Sequence, residues 1–407
     1  MSSLGILGAG TMGAGLALVA AQAGLDVVLL DRDDAAAQRG RGYVESRLRR
    51  DVLKGRRPAA EADAVLARVT ATDSYADLAG LPLVIEAVFE DRAVKRDVIG
   101  RVEQVLPADA VLASNTSAMP ITGLAEFSRR PERFLGMHFF SPAERMPLVE
   151  IICGRRTSDD TLAAALDLAR ALGKTPIVVN DAPGFFTSRF IGSFITESLR
   201  MVTAGVDPAL VEEGARRVGM PMGALAISDS IGLDVSVHAA RQRALDEGRP
   251  APEPGPVGLL VERGRHGRTS GHGFYDYGPD GEAVLWPGLA ELFPRAAEQP
   301  ALDDVGTRIL YAQLVEGTRA FADGVLTSAR DGDLGATLGV GFPLALGGPF
   351  AAIDAIGVAA FVAEADRLAA AHGPPFDVPD LVREMAQRGL TFHGDGGPAV
   401  VPPGRRG

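Results

Sequence analysis

Over residues 1–181, short runs of leucine and β-branched residues alternate with longer stretches whose apolar positions recur every three or four residues. That alternation predicts a parallel sheet covered by helices on both faces. The runs place strands at residues 4–7, 26–31, 83–87, 111–114, 134–138, 148–152 and 176–179. Between the second and third lies a helical pair, 35–53 and 59–67, with Arg, Asp and Glu along one face, which reads as an exposed hairpin of helices. The turn Asn180-Asp181-Ala182-Pro183-Gly184-Phe185 ends the pattern, and helical periodicity takes over from 188 to 243.

A Pro- and Gly-rich connector at 247–258 and the tract 264–287 separate this block from another helical stretch beginning near Asp303. The two helical blocks echo each other. Thr196-Glu197-Ser198-Leu199-Arg200, leading to Ala204-Gly205-Val206, is matched by Val315-Glu316-Gly317-Thr318-Arg319, leading to Asp323-Gly324-Val325. Each then reaches a Gly-x-Pro, at Gly219 and at Gly341, so the order of features predicts a tandem duplication. These signals divide the chain into a sheet domain at 1–182, helical domains at 183–280 and 303–393, and a flexible tail at 394–407.

Gly8-Ala9-Gly10-Thr11-Met12-Gly13 follows the first predicted strand and opens a helix of small residues, the context in which a glycine pattern marks a dinucleotide site. Gly8 permits the tight turn, Gly10 lets a pyrophosphate approach the backbone, and Gly13 allows close packing of helix on strand. Asp31 ends the next strand, where a carboxylate accepts from the adenosine ribose hydroxyls and repels a 2'-phosphate. NAD is therefore favoured over NADP, with Arg32 as the opposing signal.

The bulk composition narrows the classes. With 407 residues and 46% hydrophobic content, the chain has apolar material for two or three domains. A net charge of -11 and the lack of a basic stretch argue against nucleic acid. No apolar run reaches the ~20 residues of a membrane span, and the apolar start lacks the basic leader of a secretory signal. Cys153, the single cysteine, excludes an internal disulfide and a cysteine-rich zinc site. The expectation is a soluble, cytoplasmic protein without a metal.

Two predicted strand ends carry candidate chemistry, Ala113-Ser114-Asn115-Thr116-Ser117 and Gly136-Met137-His138-Phe139-Phe140-Ser141-Pro142. Strand carboxyl ends line the ligand crevice in open parallel sheets. Glu150, 12 residues beyond His138 in the following strand, can return beside the imidazole. A carboxylate there fixes the tautomer and stabilises the imidazolium formed when His138 removes a hydroxyl proton, as alcohol oxidation by NAD requires. Singly, each has an ordinary reading: His138 as a satisfied core residue, Glu150 as a surface acid, Ser117 as a helix cap.

Those runs, together with Glu86-Ala87-Val88-Phe89-Glu90, Leu148-Val149-Glu150, Gly173-Lys174-Thr175-Pro176 and Pro183-Gly184-Phe185, occur in the order seen in L-3-hydroxyacyl-CoA dehydrogenases. Gly271-His272-Gly273-Phe274-Tyr275-Asp276-Tyr277, Leu285-Trp286-Pro287 and Gly341-Phe342-Pro343 resemble the dehydrogenase half of bifunctional fatty-acid oxidation enzymes. The resemblance implies an α/β Rossmann-like N-terminal domain followed by two all-α domains, tandem repeats of the 6-phosphogluconate-dehydrogenase C-terminal type. It implies NAD as cofactor, His138 as the acid-base group, Glu150 as its partner and Ser117 as a donor to the substrate 3-oxygen. Glu90, Lys95 and Asn115 fall at positions near the cofactor and Met12 beside its pyrophosphate, Lys95 otherwise reading as an exposed helix lysine. Lys54 matches a lysine that contacts CoA, though alone it reads as a surface residue.

The chain departs from many members in having Ser188 and Ser141 where they have asparagine, which shortens a polar arm in both catalytic and substrate contacts. The hydratase half of the bifunctional enzymes is also missing, so the acyl-CoA substrate is expected free or delivered by a thiolase or hydratase partner. Two helical copies in one chain predict a monomer with an internal pseudo-dimer, or a homodimer. The same hydride chemistry on an acyl-carrier-protein-bound or free 3-hydroxy acid is one alternative. A non-catalytic subunit that binds NAD or acyl-CoA is another.

Overall fold

In a computed structural model, which describes residues 2–246, 250 and 253–394, eight strands form one sheet. They are β1 (Ser3–Leu7), β2 (Asp26–Leu30), β3 (Val69–Thr72), β4 (Leu83–Glu86), β5 (Val111–Ser114), β6 (Phe134–Phe139), β7 (Leu148–Cys153) and β8 (Thr175–Asn180). Their order is β3-β2-β1-β4-β5-β6-β7-β8. All neighbours are parallel except β6 and β7. That exception departs from the purely parallel sheet predicted, and its cause is the link. Residues 140–147 are too few for the dozen or so that a parallel crossover needs, so the chain returns as an antiparallel neighbour.

The crossovers are α1 (Thr11–Gln22), α2 (Asp34–Leu53), α3 (Ala59–Leu66), α4 (Arg92–Val102), α5 (Ile121–Ala125) and α6 (Asp159–Ala171). Side-chain caps start three of them: Asp33 accepts from Ala36 N, Asp91 from Ala93 N and Val94 N, and Ser158 from Thr161 N. Leu4, Ile6, Leu29, Ile85, Ala113 and Leu135 of the strands pack with Leu16, Val19 and Val44 of the helices in one buried core. Strand β3 is absent from the sequence expectation. Its four residues alternate with threonine at the sheet edge and offer too short a run to read.

The described residues divide into two compact units, one holding 2–185 with 324–339, the other 186–323 with 340–394. Segment 324–339 joins the sheet because it covers the exposed edge of β8. Asn180 N donates to Val325 O at 2.8 Å, Val178 N donates to Asp331 Oδ2 at 3.1 Å, and Thr327 Oγ1 donates to Val178 O at 2.8 Å.

The second unit is helical, with α7 (Thr187–Thr203), α8 (Pro208–Arg217), α9 (Ala224–Ile231), α10 (Leu233–Asp246) and later helices Leu302–Ala322, Pro349–Ile356, Val358–His372 and Asp380–Arg388. A small antiparallel hairpin, Tyr275–Tyr277 with Ala283–Leu285, interrupts it where only loop was expected. Contacts within this unit come in reciprocal pairs. Arg189 bonds Glu316 at 2.7 Å, while Arg308 bonds Glu197 at 2.8 Å, and both separations are eight residues along the chain (197 - 189 and 316 - 308). A Cβ on Gly219 would meet Pro343, and one on Gly341 would meet Pro221. Asp229 accepts from Phe274 N and Tyr275 N, as Asp354 accepts from Phe392 N and His393 N.

Most of the connector expected at 247–258 is described, including a short helix Pro256–Val261, but residues 247–249, 251 and 252 lie outside the described residues. So does the tail beyond 394. Among the described residues, no helix is long and apolar enough to cross a membrane, and no cluster of His, Cys, Asp or Glu could hold a metal ion.

Candidate active site

The glycine turn between β1 and α1 has a different reason for each glycine. Gly8 sits at φ +96°, in the left-handed region, and a Cβ there would lie 2.6 Å from Ala87 O. A Cβ on Gly13 would fall 1.8 Å from Gly8 O. Gly10 is the opposite case, since a Cβ there would meet nothing within 4 Å. The first two close the turn; the third leaves an open cradle at the N-terminus of α1, whose cap supplies no side chain to its amides. Amides and helix dipole together suit an anion, so the residues fit a dinucleotide pyrophosphate.

Asp31 stands beside that cradle. Its Oδ2 accepts from Ala9 N at 2.6 Å and its Oδ1 from Arg32 N at 2.7 Å, which ties the end of β2 to the turn. Arg32, the opposing signal, is exposed and turned to Asp33 at 3.2 Å. Met12 is half-buried and packs on the core.

The ends of β4 and β5 carry a buried ion cluster that sequence reading reached only in part. Lys95 is no exposed helix lysine: it is 0% exposed, and its Nζ bonds Glu86 Oε1 and Oε2 at 2.8 and 2.9 Å and Glu90 Oε2 at 3.2 Å. Burial opposes the ammonium, but Glu86 and then Glu90 outweigh it, so Lys95 titrates above the usual lysine range. Ser114 Oγ and Val88 N donate to Glu86 at 2.6 and 2.8 Å, and Thr116 donates to Glu90. Glu86, Ser114 and Thr116 lie within runs that the sequence reading singles out, but it gives them no role. The available signal was a carboxylate ending an otherwise apolar strand, Leu83-Val84-Ile85-Glu86.

On the next strand, His138 lies directly opposite Glu150 in the antiparallel register, so both side chains leave the same face of the sheet. His138 Nδ1 and Glu150 Oε2 are 2.9 Å apart, with the acid wholly buried. Phe140 and Phe185 lie against the imidazole, with ring centroids at 4.4 and 6.2 Å. Asn115 Oδ1 accepts from Phe139 N at 2.9 Å, which joins the loop after β5 to the histidine's strand. Lys174 Nζ donates to Ala143 O and Met146 O at 2.6 and 2.7 Å and pins the loop that follows.

The carboxyl ends of β1, β2, β4, β5 and β6 thus gather Gly8 to Gly13, Asp31, Glu90, Lys95, Asn115 and His138 along one edge of the sheet. Ser117 and Ser141 occupy exposed loop positions after β5 and β6. Lys54 is exposed at the C-cap of α2, about 30 Å along that 20-residue helix from its start. Ser188 belongs to the other unit, in the first turn of α7. Cys153 is buried, and burial pushes its thiol up to about 12, so it is an inert core residue.

A histidine held by a buried carboxylate, on the same sheet edge as a glycine turn that fits a pyrophosphate, suits hydride-transfer chemistry. Comparison with known proteins names the kind. Residues 3–182 match the NAD-binding domain of 3-hydroxyacyl-CoA dehydrogenase and residues 184–277 match its C-terminal domain. The chain belongs to the 3-hydroxyacyl-CoA dehydrogenase family, and it is an NAD-dependent oxidoreductase.

It is similar to a 3-hydroxybutyryl-CoA dehydrogenase from Escherichia coli K12, at 26% identity over 95% of this chain and 98% of that one, with a TM-score of 0.81. It is also similar to (S)-3-hydroxybutyryl-CoA dehydrogenase from Ralstonia eutropha, at 38% identity over 68% of this chain and 99% of that one, TM-score 0.64. The dehydrogenase part of multifunctional enzyme 1 from C. elegans shares the fold, at 23% identity over 94% of this chain and 89% of that one, TM-score 0.66.

Proposed function

We propose that the protein interconverts (3S)-3-hydroxyacyl-CoA and 3-oxoacyl-CoA, with His138 as acid-base group and Glu150 as its partner. The 2.9 Å His138–Glu150 contact carries the reading. A carboxylate only accepts, so the proton of the neutral ring sits on Nδ1 and the lone pair of Nε2 faces the substrate hydroxyl. In oxidation Nε2 takes the hydroxyl proton, and Glu150 steadies the imidazolium that results; in reduction the proton returns. NAD, when bound, supplies the hydride acceptor. Ser117 donates to the 3-oxygen, Ser141 lines the acyl thioester and Lys54 meets the CoA phosphates, while Ser188, where many members carry asparagine, is a candidate by its sequence position alone. The similarity to 3-hydroxybutyryl-CoA dehydrogenases supports a CoA thioester over a carrier-bound or free acid.

Acetoacetyl-CoA assayed by loss of NADH absorbance, beside carrier-bound and free-acid substrates, tests the substrate class. His138→Ala should abolish turnover and still bind NADH. Turnover by that variant at the wild-type rate would remove His138 from the chemistry, and an equally inactive wild type would support a binding subunit instead.

The helical residues are further read as a tandem duplication, with copies at 183–280 and 303–393. The reciprocal ion pairs and Gly-x-Pro contacts support this, because such pairs are the mark of an isologous interface. Here that interface lies inside one chain.

A further inference from the structure

Glu86 is a buried carboxylate for which the proton transfer above has no use. It ends β4, paired in register with Ser114 at the end of β5. Lys95 Nζ, Ser114 Oγ and Val88 N all point donors at it, and Glu90 receives Lys95 and Thr116. Every one of these groups that meets the two carboxylates is a donor, which suits oxygens that only accept. Two carboxylates and one ammonium leave the cluster a net charge of -1 (-2 + 1).

Topology decides what that charge faces. Asp31, at the end of β2, marks the adenosine side, and the glycine turn after β1 takes the pyrophosphate. A dinucleotide lying across the strand ends therefore extends away from β2, over β4 and β5, where the cluster stands. The nicotinamide ring carries a positive charge when oxidised and none when reduced. A fixed negative charge beneath it attracts only the oxidised form.

We propose that Glu86 is a positioning residue that holds Lys95 against Glu90 in a cluster of net negative charge, and that this charge tilts the cofactor site toward NAD+ over NADH. The inference rests on the cofactor orientation just given and deepens the dehydrogenase reading without using its substrate. At an effective dielectric near ~20, one unit of charge across a part-buried crevice is worth roughly three- to tenfold in binding.

Dissociation constants for NAD+ and NADH, measured by calorimetry on the wild type and on Glu86→Gln, test it. The variant should bind NAD+ roughly three- to tenfold more weakly and NADH within about twofold of the wild type. Ser114→Ala, which removes a donor and keeps the charge, should leave the ratio of the two constants unchanged. Equal weakening of both nucleotides by Glu86→Gln, or an equal shift of the ratio by Ser114→Ala, overturns the proposal alone. Wild-type protein that binds neither nucleotide overturns the cofactor site and the proposal with it. If circular dichroism shows Glu86→Gln unfolded, Glu90→Gln neutralises the same cluster from a part-exposed position, and an unchanged ratio there is equally fatal.

Discussion

Gly10 and Gly13 stand three residues apart and should respond to alanine in opposite ways. Gly10→Ala meets open space at φ -67°, so its melting temperature should stay near the wild type while NADH affinity falls at least about tenfold, because the methyl occupies the phosphate approach. Gly13→Ala drives a methyl into Gly8 O and should lose several kcal/mol of stability, as overpacking against backbone does. A thermal melt and a fluorescence titration on each separate the two; a Gly10→Ala protein that binds NADH normally would contradict the cradle. Glu150→Gln keeps the shape but can no longer favour the imidazolium. It should lower kcat by roughly 10²- to 10⁴-fold with KM little changed, and a stopped-flow trace at saturating substrate reads this directly.

Among the elements, the tyrosine hairpin is held from below by two buried acids. Asp229 accepts from the backbone of Phe274 and Tyr275 and from Tyr277 Oη, and Glu212 accepts from Tyr275 Oη at 2.6 Å. Burial raises both carboxyls above their ordinary values of 4.5 for Glu212 and 3.8 for Asp229. The folded state therefore keeps protons that the unfolded chain releases. The associated stability is full below those ordinary values and lost as pH rises through the raised folded ones. Glu212→Gln should remove its share, so the difference in melting temperature between variant and wild type should change across the weakly acidic range. A difference that stays constant there would mean that Glu212 is not titrating in the fold.

This hairpin also shows where sequence reading stops. Helices α2 and α3 were legible to within a residue because their polar and apolar positions follow the helical period, and Glu150 was legible as a carboxylate in the strand after His138, whereas the antiparallel return that sets the two in register was not foreseen. Three-residue strands have no period, and Tyr275 to Tyr277 are fixed by Asp229, 46 residues upstream of Tyr275. Glu86 escaped for the same reason: its partners arrive from α4 and β5, and only the folded sheet brings them together.

At the scale of the whole molecule, the proposed duplication predicts a sedimentation mass of one chain, 42.5 kDa. A dimer mass would mean that a second interface exists. The two reciprocal ion pairs should differ in cost. Glu197 is 1% exposed and its partner Arg308 is 14%, so Glu197→Gln leaves a largely shielded guanidinium unmatched and should cost roughly 3 kcal/mol. Glu316→Gln breaks a pair whose side chains are 16% and 22% exposed, and chemical denaturation should report a smaller loss.

The mirrored arginine–glutamate pairs have a consequence for history as well as for folding. In an assembly of identical subunits, every substitution at the symmetry axis strikes both sides at once. If the proposed duplication holds, both faces are written into one chain, so Arg189 and Arg308 mutate separately and dilution cannot pull their partners apart. Under the proposed duplication the second copy would be free to diverge from the first, and residues 324–339, which cover the open edge of the sheet, lie within it.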